Sequence, residues 1–402
     1  MSDPSRVRMT GPLTAFADGF AAELRKQGYR PNAAANQLQL LAHLSRWLAS
    51  KRLDATAIST PVLTEFLDAR RAQGYRLWLS RKALAPLVGY LRAVGVAVAT
   101  EPAVLGPGEA LLARYHKYLL DMRGLAGTTA CGYVYMIRPF VKNRVTNDEL
   151  DWTDLRPEHL NRFVLAASRG PSRGSAKLAV TALRSLLIYL HMEGLIAQRL
   201  DTAVPSVAGW SLAGLPRALE PCDVERLLAA CDRRTGSGCR NFAILMLLAR
   251  LGLRAGEVRK LNLDDIDWRT GELVVRGKGR RLEHLPLPAD VGEALAAYLQ
   301  TGRPDTAQGR TVFVRTRAPH RALSSTGVTD VVVAAASRAG LTNVGAHRLR
   351  HTLATQMVRS GVALPGVAQV LRHRRLMTTA IYAKVDREGL RLLARAWPGG
   401  EA

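Results

Sequence analysis

Apolar residues recur at helical spacing through the first half of the chain. From Leu13 to Val96 the segments LTAFADGFAAELRKQ, NQLQLLAHLSRWLASK, TPVLTEFLDARRAQ and SRKALAPLVGYLRAVG each repeat apolar residues, Leu and Ala above all, at helical spacing. The spacing predicts four helices with short connections. Between Gly108 and Leu195 the same order returns as EALLARYHKYLLDMRG, TACGYVYMIRPFVKNRV, RPEHLNRFVLAASRG and SAKLAVTALRSLLIYLHMEG. Leu24-Arg25-Lys26-Gln27-Gly28 echoes Leu120 through Gly124, and Tyr90-Leu91 through Gly95 echoes Tyr189-Leu190 through Gly194. An offset of about 96 to 99 residues predicts a diverged tandem duplication, with helical domains at 1–103 and 104–200.

Residues 201–217, DTAVPSVAGWSLAGLPR, carry Pro and Gly with no helical period and are expected to link two cores. A further domain is expected over 218–390, followed by a tail over 391–402. Within it EPCDVERLLAACD predicts a helix opened by an Asp cap, and CRNFAILMLLARLG, apolar all round, predicts the buried core helix. GELVVRG and LEHLPLP are short β-prone runs joined by Lys278-Gly279-Arg280-Arg281, which predicts a hairpin with a basic tip. The acidic run Leu263-Asp264-Asp265-Ile266-Asp267 is expected to be a loop before it, and the chain from Ser324 onward returns to helical spacing. The fold class is therefore mainly α (α+β): two tandem helical domains, then a mixed α/β domain with a small antiparallel sheet.

Composition narrows the function. With 402 residues and 48% hydrophobic content, the chain is long and apolar enough for two or three cores, which argues against global disorder. Fifty-seven Lys and Arg against 33 Asp and Glu leave a net charge of +24, which favours polyanionic partners, nucleic acid first. The longest apolar run, Phe242 to Ala249, is far too short to span a membrane. MSDPSRVRMT lacks the apolar core of a secretory signal, so a reducing cytoplasm is expected. The four cysteines, Cys131, Cys222, Cys231 and Cys239, form no CxxC pair and are expected to be free thiols, not zinc ligands.

Five segments carry the candidate chemistry: LGLRAGEV with Arg254 and Glu257, the hairpin tip with Lys278, HRLRHT with His347 and Arg350, LRHRRL with His373, and AIYAKV with Tyr382. A phosphodiester is cut without metal when a nucleophile attacks in line, cations neutralise the equatorial oxygens, and an acid protonates the departing oxygen. Arg254 and Arg350 suit the two non-bridging oxygens because guanidinium is always charged and presents a planar fork. Arg254 is expected to end the apolar core helix. His347 and Arg350, three apart, share one helical face. His373 lies nine residues before Tyr382, so consecutive helices can return both to one pocket. A tyrosine with an ordinary pKa near 10 needs neighbouring cations and a base to attack at neutral pH. Its phosphoester conserves the energy of the broken bond, so a DNA hydroxyl can reverse the attack and leave rejoined DNA.

The run GAHRLRHTLATQMVRSGVALPGVAQVLRHRRLMTTAIYAKV, with LGLRAGEV and VRGKGRRLEHLPL, resembles the tyrosine recombinase (phage integrase) family over about residues 218–390, and the upstream repeats resemble its core-binding domain. The resemblance implies that Arg254 and Arg350 bind the scissile phosphate and Lys278 protonates the leaving 5′-oxygen. It further implies that His347 and His373 serve proton transfer and phosphate contact, and that Tyr382 forms the 3′-phosphotyrosine. Glu257 would orient Arg or His side chains. Arg372 departs from the pattern, since the family usually shows glycine before this histidine. No cofactor and no metal are implied. The implied partner is double-stranded DNA at specific sites, bound by a homo-tetramer or hetero-assembly on paired sites, with the tail REGLRLLARAWPGGEA packing into a neighbouring subunit. The closing LRHRRLMTTAIYAKVD and WPG also resemble recombinases of bacterial transposable elements, which implies a cytoplasmic, nucleoid-associated protein. A type IB topoisomerase and a catalytically idle accessory protein are the rival readings; the tail and HxxR version disfavour the first, and the complete residue set the second. A metal nuclease is disfavoured because 263–267 is the only acidic cluster.

Overall fold

The computed structural model describes residues 7–96, 105–170, 173–208, 218–277, 281–373 and 376–385. Lys278 and the tail 391–402 lie outside the described residues. The chain divides into two compact units, one comprising Met1–Ala99 and Gly214–Ala402, the other Thr100–Ala213.

In the first unit the N-terminal segment folds as α1 (Ala17–Lys26), α2 (Pro31–Ser50), α3 (Thr60–Ala72) and α4 (Arg81–Ala93) around its own apolar cluster. The second unit holds α5 (Pro107–Asp121), α6 (Gly127–Lys142), the two-residue antiparallel strands β1 (Val145–Thr146) and β2 (Glu149–Leu150), α7 (Pro157–Ser168) and α8 (Arg173–Met192). Val204, beyond its last helix, is buried in that core.

Both sets of helices were expected in this order. The helix-end echoes prove to be stop signals: Gly28, Gly124, Gly95 and Gly194 each take positive φ just past a helix, where a Cβ would be strained. A more informative match is internal. Tyr90 packs on Phe20 of α1 with ring centroids 5.5 Å apart, and Tyr189 packs on Tyr115 of α5 at 5.3 Å. The weighting differs, however: the 20-residue central helix is α2 in one set and α8 in the other.

The rest of the first unit is built on α10 (Gly236–Arg250), whose Ala243, Ile244, Leu245, Leu247 and Leu248 are fully buried, as its uninterrupted apolar character predicts. The helix α9 (Pro221–Ala229) precedes it. Its N-cap is Glu220, not an aspartate; Pro221 occupies the first turn, where its missing N–H costs nothing, and Asp223 lies inside the helix.

The short α11 (Ala255–Val258) leads to a 3₁₀ turn and to β3 (Ile266–Asp267), so the acidic run is not simply a loop. β3 pairs antiparallel with β4 (Glu272–Arg276), and β4 pairs with β5 (Leu282–Pro286) in the register Leu273↔Leu285 and Arg276↔Leu282. Leu273 and Val275 point into the core. Asp265 is buried against Arg276, Asp264 pairs with Arg310, and Asp267 accepts from the amides of Arg269 and Thr270, so each carboxylate is engaged within the protein. The helices α12 (Ala289–Ala297), α13 (Ser325–Arg338), α14 (Ala346–Arg359) and α15 (Leu364–Val370) complete the unit.

The four cysteines are free thiols. Among the described residues no helix is long and apolar enough to cross a membrane. Truncating Leu245 to Ala in the centre of α10 is expected to cost about 2–5 kcal/mol through lost burial and a residual cavity. Val333→Ala, at a 51% exposed position on α13, should stay within about 0.5 kcal/mol. Denaturant unfolding followed by circular dichroism compares the two, and equal midpoints would disprove the central placement of α10.

Candidate active site

The helix α14 supplies three side chains from one face. His347, Arg350 and His351 stand at i, i+3 and i+4, while Leu349 turns into the main core and Leu353 into a smaller cluster with Val358, Val367, Leu371 and Tyr382. Arg350 is 2% exposed despite its charge. Its guanidinium donates to the carbonyl oxygen of Gly252 at 2.5 Å and to that of Leu371. Gly252 takes φ +57°, and a Cβ there would meet Leu353 and Leu371 at 3.0 Å, so glycine is favoured where this turn approaches Arg350.

Arg254 does not end the core helix as expected. The helix stops at Arg250, and Arg254 is the N-cap of α11, half-exposed and held by Glu257. Glu257 Oε2 accepts from the Arg254 backbone N–H at 2.9 Å, and Oε1 accepts from its guanidinium at 2.5 Å. The same carboxylate pairs with Arg372 at 3.2 Å. Burial pushes the Glu257 carboxyl up, but the Arg254 amide and the charges of Arg372 and Arg254 outweigh it and hold it below the ordinary carboxylate range.

His373 follows α15, and its Nδ1 lies 2.8 Å from Oγ1 of the fully buried Thr379. Tyr382 is not on a second full helix. Two short 3₁₀ segments, Leu376–Thr378 and Ala380–Val385, return the chain, and the second carries Tyr382 at 1% exposure. Its hydroxyl sits 2.8 Å from Nδ1 of His351. His351 in turn meets His347 edge-on at 4.3 Å between ring centroids.

The structure thus gathers Arg254, Glu257, His347, Arg350, His373 and Tyr382 around one pocket. Lys278 is the predicted site residue that lies outside the described residues, flanked by β4 and β5. Two further participants went unread in the sequence. His351 is signalled by its i+4 spacing from His347 and its place beside Arg350; Thr379 carries no signal of its own.

Electrostatically the pocket is short of negative charge. Burial, then the charges of Arg254 and Arg372, lower Arg350 to about 9. Burial, with His347 and Arg350, brings His351 to about 4, and burial, with Arg350, Arg254 and other cations, brings His373 to about 4. His347 is lowered for the same reasons, burial first. Burial pushes the Tyr382 phenol up to about 12, against the pull of Arg350. The histidines are therefore neutral and the phenol protonated at pH 7 in the free protein, in a pocket whose arginines can accept an anion.

Residues 217–388 match the Phage integrase family, and residues 112–194 match the Phage integrase N-terminal SAM-like domain. A Sinorhizobium fredii protein named as an integrase/recombinase, y4rA, is 40% identical over 395 residues, covering 97% of this chain and 95% of that one. The tyrosine recombinase XerD of Mycobacterium tuberculosis is 34% identical over 306 residues, 71% of this chain and 95% of XerD. Among solved structures, XerH bound to a palindromic difH substrate superposes with a TM-score of 0.55 at 20% identity, covering 70% of this chain and 83% of XerH. A lambda integrase dimer bound to a COC' core site gives 0.53 at 20% identity, covering 80% and 89%. The solved structures bear on the fold alone, whereas identity sustained over nearly the full length of y4rA and XerD bears on descent, and on that ground the chain belongs to the tyrosine recombinase, or phage integrase, family.

Proposed function

We propose that this chain is a site-specific DNA recombinase in which Tyr382 attacks a backbone phosphate, forms a 3′-phosphotyrosine and releases a 5′-hydroxyl, with no metal or cofactor required. The observation that carries the reading is the Tyr382 hydroxyl at 2.8 Å from His351 Nδ1, beside the buried Arg350. A neutral His351 with its proton on Nε2 accepts the phenolic proton as the O–P bond forms. Arg254 and Arg350 neutralise the non-bridging oxygens, and the unused N–H groups of Arg350 are available for this. Lys278 protonates the departing 5′-oxygen. His373, fixed through Nδ1 by Thr379, keeps Nε2 for the phosphate, and His347 supports proton transfer. Glu257 orients Arg254. Attack by a second DNA hydroxyl on the phosphotyrosine reverses these steps and joins the new strand.

Tyr382 is covered in the free protein, so bound DNA has to uncover it before His351 can take its proton. We further propose that 218–390 form the catalytic domain and 104–200 a core-binding domain, in keeping with the two matched regions. Residues 1–103 would be a diverged second copy that lengthens the DNA footprint; the paired Tyr90–Phe20 and Tyr189–Tyr115 contacts favour common descent. The partner is double-stranded DNA at specific paired sites, bound by a tetramer in which 391–402 pack in trans. A lambda integrase tetramer bound to a Holliday junction supports that assembly by analogy of fold. The name integrase/recombinase of one relative favours integration, and we extend this to excision or transposition of a mobile element by a protein acting in the bacterial cytoplasm.

The test is covalent trapping. With nicked duplex carrying the DNA ends that flank its gene, in EDTA, the wild-type chain is expected to give a protein–DNA adduct that survives denaturing electrophoresis. Tyr382→Phe should bind the same DNA and give none. Arg254→Ala should slow adduct formation by about 10²–10³-fold. Strand transfer to a second duplex then separates a recombinase from a topoisomerase, and adduct formation by Tyr382→Phe would remove Tyr382 as the nucleophile.

A second expectation concerns acid. In the unfolded chain His351 and His373 titrate near the ordinary 6.5, but in the fold near 4. As pH falls between these values, the unfolded chain takes up protons that the folded chain does not. Stability from this source is fully present above about pH 6.5 and declines as pH falls through about 4. Histidine Cε1–H resonances followed by NMR should give midpoints near 4 for both rings, and midpoints near 6.5 would contradict the closed pocket.

A further inference from the structure

Arg372 carries a long side chain on a backbone that glycine favours. Its φ is +55°, in the left-handed region that a side chain strains. The side chain is 4% exposed and turns inward, not toward solvent or DNA. Nη2 reaches Glu257 Oε2 at 3.2 Å and the Gly252 carbonyl at 3.3 Å, and Nη1 reaches the Leu251 carbonyl at 3.4 Å. Nε lies 3.4 Å from Oε2 of Glu283 on β5, an ionic contact without hydrogen-bond geometry, since neither atom has a hydrogen-bonding partner. The Arg372 carbonyl itself faces the Arg254 guanidinium at 3.5 Å.

A strained backbone and a buried cation are both unfavourable, so they persist where the surroundings hold them in place. Here the surroundings are the two supports of Arg254: the Glu257 carboxylate and the turn that leads from Gly252. Arg372 takes one oxygen of Glu257 and leaves the other to the Arg254 guanidinium. We infer that Arg372 is a positioning residue of this enzyme, clamping Glu257 between β5 and the Gly252 turn so that Arg254 is held in the orientation that receives the scissile phosphate. The inference rests on the phosphotyrosine reading above. Arg372 itself touches neither DNA nor the reacting atoms.

The test compares wild type, Arg372→Gly, Arg372→Lys, Arg254→Ala and the Arg254→Ala/Arg372→Gly double variant in single-turnover adduct formation on the same nicked duplex, with DNA concentration varied. Arg372→Gly removes the clamp while relieving the backbone, and Arg372→Lys preserves the charge should the glycine variant not fold. The maximal rate of Arg372→Gly is expected to fall about ten- to a hundred-fold, as for a misplaced catalytic group, with half-saturating DNA within about twofold of wild type. Arg372→Lys should recover part of the rate. In the Arg254→Ala background, Arg372→Gly should add little, because both changes remove one arrangement. A rate for Arg372→Gly equal to wild type, or the same fold-loss with and without Arg254, would overturn the inference while the wild-type adduct left the phosphotyrosine reading standing. Absence of an adduct from the wild type would overturn both.

Discussion

Everything in the pocket depends on a buried guanidinium. Arg350 is nearly sealed from water, and a charge so placed persists only if its N–H groups are engaged. Two backbone carbonyls meet that need, Gly252 before Arg254 and Leu371 before Arg372 and His373. One side chain thereby fixes three stretches of chain about 100 and 20 residues apart, and each stretch delivers a functional group to the same place. The glycine at 252 is the complement of this arrangement: a larger residue would collide with the leucines that wall the pocket.

The same packing sets the charge state. Arg254, Arg350 and Arg372 surround a single buried carboxylate, Glu257. Burial first, and then the positive excess, depresses the histidines, which stay neutral and able to accept protons. The tyrosine is handled in the opposite sense. Covered by Val358, Val367 and Leu371, its phenol is held protonated. On the proposed roles, the free protein combines a cluster of cations with a covered nucleophile. Such an arrangement suits chemistry that must wait for the right DNA.

Departure from local pattern marks where these demands compete. Arg372 keeps a glycine-like backbone yet carries the longest cation, and its burial is tolerable because two carboxylates and three carbonyls face it. Tyr382 lies on 3₁₀ turns instead of a regular helix, which brings its hydroxyl to His351 over a short connection from His373.

Much of this was legible along the chain, because helix period, apolar continuity and hairpin chemistry are local properties. The two sets of four helices, the buried α10, the β4–β5 hairpin and the shared face of His347 and Arg350 all follow from spacings within about twenty residues. The family was legible too, since the motifs around Arg254, Arg350 and Tyr382 resemble those of tyrosine recombinases. The contacts between distant segments could not be read this way. That Asp265 would be buried against Arg276, that His351 would be the neighbour of Tyr382, and that Arg372 would point inward depended on which residues the tertiary packing brought within a few ångströms. Sequence by itself determined the elements and the candidate groups; the tertiary structure decided their partners, because desolvation and charge pairing are set by neighbours in space and not by neighbours along the chain.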